Sequence, residues 1–172
     1  MGNTASKYTV IRVTPTLSTD AYADDDVFFN ATEIPSAVLG NGGCSKLIGL
    51  SILNEDDVEH DFDIIFMQKE TDLGTINDAV GSASKWTNVL AKAAGVLGWI
   101  SVDWSEGDIN LINNLLWTSI RTGGAGAGEM NNNMLLQAEN DSTSVYMAAV
   151  SRGGTPTTAA DDYEIILHIE YR

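Results

Sequence analysis

The chemistry open to this chain of 172 residues rests on a short inventory: two histidines, His60 and His168, one cysteine, Cys44, and 24 acidic residues. A thiolate beside an imidazole is a nucleophile–base pair, but nothing local to Cys44 supports that use. Cys44 follows the glycine turn Gly40-Asn41-Gly42-Gly43 and begins an apolar strand, where a thiol reads as a buried structural group. Standing alone, it excludes an intrachain disulfide and a cysteine-based metal cage. His60 alternates with Phe62 toward a core side, and His168 with Glu170 toward solvent. Both read as structural.

The carboxylates cluster as Asp24-Asp25-Asp26, as Glu55-Asp56-Asp57 with Glu59, and as Asp161-Asp162. Paired carboxylates at the right separation hydrolyse glycosides, and clustered ones supply the six to eight oxygens that Ca²⁺ takes. No cluster has EF-hand spacing. Solvated surface and protection of strand edges account for them without chemistry. The run Gly123-Gly124-Ala125-Gly126-Ala127-Gly128 lacks the Lys-Ser/Thr ending of a phosphate loop and lies in no βαβ unit. The expectation is therefore no enzyme, with no catalytic residue, metal or cofactor. Trp99, Trp104 and Trp117 could form a sugar-binding platform, but more readily fill a core or an oligomer interface.

Nine basic residues against 24 acidic give a net charge of −15. That field repels phosphate backbones and argues against nucleic-acid binding. No apolar stretch approaches the ~18 residues of a membrane-spanning helix. The length suits one domain on the usual scale of about 100–200 residues. Met1–Ser6 is polar with no apolar run behind it, so no signal peptide is expected. The same residues match the short myristoylation pattern, yet one acyl chain without a basic patch anchors poorly. No membrane partner is expected.

These residues must be held by strands. Tyr8, Val10 and Arg12 alternate with Thr9, Ile11 and Val13. Val58, His60, Phe62, Ile64 and Phe66 share one face of a strand, and Glu59, Asp61 and Asp63 share the other. Tyr163, Ile165, Leu167, Ile169 and Tyr171 oppose Glu164, His168 and Glu170. Apart from Lys46, Gly49 and Ser51, Lys46–Leu53 is apolar on both faces, as a central strand would be. Val96–Asp103 and Ser144–Val150 are further strands, and Gly153-Gly154-Thr155-Pro156 is a turn. The exception is Ser82–Ala94, where Trp86, Val89, Leu90 and Ala93 fall on one helical face, ending at Gly95. The reading is an all-β, antiparallel two-sheet sandwich, jelly-roll-like, with one short helix near 83–94.

Several short segments, taken together, resemble small virion structural proteins of tailed bacteriophages, particularly marine ones. They are Asp26-Val27-Phe28-Phe29 leading to Ile34-Pro35, Gly42-Gly43-Cys44-Ser45-Lys46-Leu47, and Asn54-Glu55-Asp56-Asp57 with Phe62-Asp63-Ile64-Ile65-Phe66. Leu73-Gly74-Thr75-Ile76-Asn77, Ser142-Thr143-Ser144-Val145-Tyr146 and Gly153-Gly154-Thr155-Pro156-Thr157 continue the likeness. The resemblance spans residues 22–172 and implies a small β-sandwich, jelly-roll-like component of the particle.

It implies a capsid decoration (cement) protein on the virion surface, made in the host cytoplasm. Its partners would be the major capsid protein and further copies of itself, as a trimer or similar ring. The alternative is a tail- or fibre-associated component with a receptor- or glycan-binding role. Residues 1–7 would form a flexible arm ahead of one domain, 8–172. Candidate contacts are Gly2, Asn3, Thr4 and Ser6 in the arm, and Gly124, Gly126, Gly128, Asn131 and Asn132 in the Gly/Asn loop at 123–133.

Overall fold

A computed structural model describes residues 7–56, 58–80, 95–104, 108–110, 114–119, 133–154, 156–160 and 162–172. The helix expected at 83–94 lies outside these residues. So do residues 1–6 of the expected arm, β1 beginning at Lys7.

Ten strands follow in order: β1 (Lys7–Val13), β2 (Val27–Ile34), β3 (Cys44–Asn54), β4 (Phe62–Met67), β5 (Val96–Val102), β6 (Asp108–Asn110), β7 (Leu115–Thr118), β8 (Met134–Gln137), β9 (Val145–Ser151) and β10 (Tyr163–Tyr171). One sheet runs β1-β10-β3-β7-β6, with β8 also paired to β3, and the other runs β2-β9-β4-β5. Every pairing is antiparallel. The pairings nest: β1 with β10, β2 with β9, β3 with β8, β4 with β5. A long antiparallel hairpin wound on itself, its successive rungs falling alternately in two sheets, is a jelly roll. The fold expectation holds.

Alternation explains the inner layer. Along β10, Tyr163, Ile165, Leu167 and Ile169 are buried and the residues between them are not. They meet Leu47, Leu50 and Ile52 of β3 and Phe62, Ile64 and Phe66 of β4 in one core with Trp104 and Trp117. The central position expected for Lys46–Leu53 is that of β3, flanked by β10 on one side and by β8 and β7 end to end on the other.

Three expectations need correction. The strand over Val58–Phe66 begins only at Phe62, because Asn54 Nδ2 donates to the Val58 carbonyl (2.8 Å) and ties Val58 back to the end of β3. The outer side of β4 is wet only at Asp63. Ile65 and Met67 face outward yet are buried in a second apolar cluster with Val27, Leu73, Ala148 and Val150. Cys44 is half-buried rather than buried, as the first residue of a strand whose inward set starts at Ser45.

The second cluster exists because residues 71–80 form a strap. Its backbone bonds the free edge of β2: Asn77 N donates to the Val27 carbonyl (2.9 Å), Val27 N to that of Asp78 (3.0 Å) and Val80 N to that of Asp25 (2.8 Å). Asn30 pins its start, donating from Nδ2 to the Gly74 carbonyl (2.7 Å) and accepting Leu73 N–H at Oδ1 (2.9 Å). The strap thus blunts an open sheet edge and presses Leu73 onto the outer face.

Candidate binding site

The contact residues expected from sequence, Gly2, Asn3, Thr4, Ser6, Gly124, Gly126, Gly128, Asn131 and Asn132, lie outside the described residues. The remaining candidates are placed, and the structure keeps them apart. Cys44 opens β3 and His60 lies in the turn beyond its far end, an 11-residue strand away, about 30 Å at the usual rise. His168 sits on the outer face of β10, where its Nδ1 is hydrogen-bonded to the Tyr8 hydroxyl. His60 is buried, as its alternation with Phe62 indicated, and is stacked on Tyr22 with Phe28 edge-on. Burial depresses its pKa to about 4, because the charged ring would lose its water. The same burial drives the Tyr163 hydroxyl far above its ordinary range, although that hydroxyl accepts from Asn54 Nδ2 at 3.1 Å.

Asp24 and Asp26 of the first acidic cluster, with Asp61, work as loop braces. Asp26 Oδ2 accepts Ala23 N–H (2.6 Å), Asp24 Oδ1 accepts Gly153 N–H (2.8 Å), and Asp61 Oδ1 accepts Trp104 N–H (3.0 Å). Backbone bonds join the same loops, from Arg152 N to the Asp61 carbonyl and from Glu55 N to that of Asp162 (2.8 Å each). Among the described residues no three His, Cys, Asp or Glu side chains gather as a metal set would.

The tryptophans divide. Trp104 and Trp117 fill the core, Trp117 donating from Nε1 to the Asp103 carbonyl (3.0 Å). Trp99 is 69% exposed in the single chain, which rules out the core position for it. The register shows why. Trp99 pairs with Ile65 and Ser101 with Asp63, while Asp63 also pairs with Val150. Opposed residues share a face, so Trp99, Ile65, Asp63 and Val150 lie together on the outer face of the four-stranded sheet. They line a groove of about 490 Å³ with Asp25, Val96, Ser151 and Arg152. Arg152 is locked there: Nε lies 3.2 Å from Asp63 Oδ1 and Nη2 donates to the Val102 carbonyl (2.9 Å). Asp25 stands at the rim with a left-handed backbone, φ 66°, its N–H given to the Ser151 carbonyl (3.1 Å) and its carbonyl taken by Val80.

Sequence reasoning missed this grouping, since its members come from four separate segments. One signal was present. In β5 the order Trp99-Ile100-Ser101-Val102 puts the tryptophan in phase with serine and out of phase with the core residues.

No family model matches the chain, and no curated protein does. Among solved structures the chain is similar to one of Desmodium yellow mottle tymovirus, 12% identical over 99% of this chain and 82% of that one, with a TM-score of 0.28. It is also similar to a chain of the cryo-EM structure of a giant freshwater prawn Macrobrachium rosenbergii nodavirus semi-empty VLP, 7% identical over 98% of this chain and 94% of that one, with a TM-score of 0.33. Scores this low carry no argument about what the chain does.

Proposed function

We propose that this chain is a virion structural protein, a capsid decoration (cement) protein that binds the outer capsid lattice as a closed homo-oligomer. The observation that carries the reading is the outer face of the six-stranded sheet. Tyr8, Val10 and Leu135 are exposed there, Ile48 and Ile166 are half-buried, and Arg12 and Glu164 form an ion pair across β1 and β10 at 2.7 Å. Apolar area interspersed with paired charge is the composition of an interface whose partner also meets water. Jelly rolls serve both viral capsids and lectins, so fold alone does not choose a role; the open face and the phage-virion resemblance support this one. The charge of −15 disfavours adhesion to nucleic acid and steers the chain toward a more basic shell protein.

Copy number per particle is the test. A decoration protein is present in many copies and binds expanded capsids, more slowly as salt screens the rim charges over the ~8 Å Debye length of physiological buffer. Deleting residues 1–7 lowers occupancy if the arm contributes. A few copies per virion, with none on the shell, would overturn the reading in favour of a tail component.

A further inference from the structure

The Trp99 groove is unused by that reading, and it lies on the opposite face of the sandwich. We propose that it is a binding site for an uncharged saccharide, with Trp99 as the stacking platform. The inference holds wherever on a particle the chain sits.

Three features select the ligand class. The floor is apolar, made of Ile65, Val96 and Val150, and Trp99 stands beside it with most of its surface in water. A sugar ring offers a flat array of C–H groups to such a surface, and an aromatic body supplies large contact area at small entropy cost. The rim is polar and of mixed type. Asp25 and Asp63 only accept hydrogen bonds, and Arg152 only donates. Among the described residues Asp63 is paired with Arg152 through its buried Oδ1, and its side chain, 33% exposed, lines the groove. Hydroxyl groups both donate and accept, so a polyol can satisfy the carboxylates and the guanidinium together. The third feature is preorganisation: the ion pair and the Val102 carbonyl fix Arg152, and two backbone hydrogen bonds fix Asp25.

Other occupants fit less well. An anionic polymer meets two rim carboxylates and a net charge of −15. An apolar helix or an acyl chain would cap Asp63 and Arg152 with groups that cannot hydrogen-bond, which is unfavourable for each. The volume of about 490 Å³ falls in the ~300–1,000 Å³ range of small-ligand sites.

The experiment titrates the full chain with neutral oligomers of glucose, mannose and N-acetylglucosamine, followed by tryptophan fluorescence and calorimetry. At least one series should bind saturably and shift the emission assigned to Trp99 by subtracting the Trp99→Phe spectrum. Trp99→Ala should weaken binding at least about tenfold, as loss of a central aromatic anchor does, and Asp63→Asn by a smaller factor. Trp99 is exposed, so its variants keep the fold, checked by an unchanged Tm. Binding should change less than about twofold between ~0.05 and ~0.5 M salt, since the ligand carries no charge to screen. An oligolysine peptide is the control. If it binds instead, with steep salt dependence, the site recognises a basic partner and the proposal is wrong. It is equally overturned if no saccharide binds, or if acrylamide fails to quench Trp99 in the free protein, because the groove is then closed.

Discussion

Outward-facing Met67 and Ala148 on the four-stranded sheet are sealed, whereas outward-facing Tyr8, Val10 and Leu135 on the six-stranded sheet stand in solvent. Both sets come from ordinary alternating strands, and neither strand pattern determines which is covered. The difference lies in a segment distant in sequence: the strap at 71–80, bonded to the edge of β2, has no counterpart along β1 among the described residues. Burial of the inner layer is a property of strands. Burial of an outer face is a property of whatever crosses it.

The largest effect should separate the faces directly. Met67→Ala removes a fully buried side chain and should lower unfolding free energy by about 2–5 kcal/mol, while Val10→Ala on the open face stays within about 0.5 kcal/mol. Urea denaturation of the two variants decides it, and similar losses would break the comparison.

Acid probes the layer both faces share. The folded pKa of His60, about 4, lies below the ordinary 6.5, so between those values the unfolded chain binds the proton and the folded one does not. Stability is complete above about pH 6.5 and falls as pH drops toward 4, by roughly 3 kcal/mol for this one group. His60→Phe should flatten that part of the stability profile; an unchanged slope would assign it to the carboxylates.

Asn30→Ala should release the strap. Two strap bonds fail together, at about 1–3 kcal/mol, and amide exchange should quicken at Leu73, Gly74 and Asn77 while β10 stays protected. The smallest effect belongs to the open face. A double-mutant cycle on Arg12 and Glu164, an exposed pair at 2.7 Å, should return about 0.2–1 kcal/mol, shrinking in salt. A larger coupling would mean that this face is more ordered than its exposure suggests.

Strands with clean alternation were legible in the sequence: β1, β10, most of β5 and β9, and the doubly apolar β3. β2 was legible only as a familiar phrase, because its register shifts twice, between Val27 and Phe29 and again between Phe29 and Thr32. Those irregularities bury Phe28 and Phe29 consecutively, which no period-2 pattern contains. β6, β7 and β8 are three or four residues each, too short to show a period. The strap was invisible because its work is done by backbone groups and by Asn30, none of which leaves a hydropathy signal. The groove was invisible for a related reason: Asp25, Asp63, Trp99 and Arg152 are brought together by register, and register between distant strands is not written in either strand alone.

The nesting of the pairs also dictates an order of events. Lys7 pairs with Tyr171, and β10 lies between β1 and β3, so the central seam of the larger sheet cannot form until β10 has left the ribosome. Loop closure over such separations is slow. Throughout that interval one edge of β3 and the pairing edge of β1 are unoccupied, the condition under which nascent β-proteins associate with one another. A surplus of 15 negative charges makes each waiting chain repel its neighbours. The acidity therefore has a use before folding is complete, keeping waiting chains apart during synthesis.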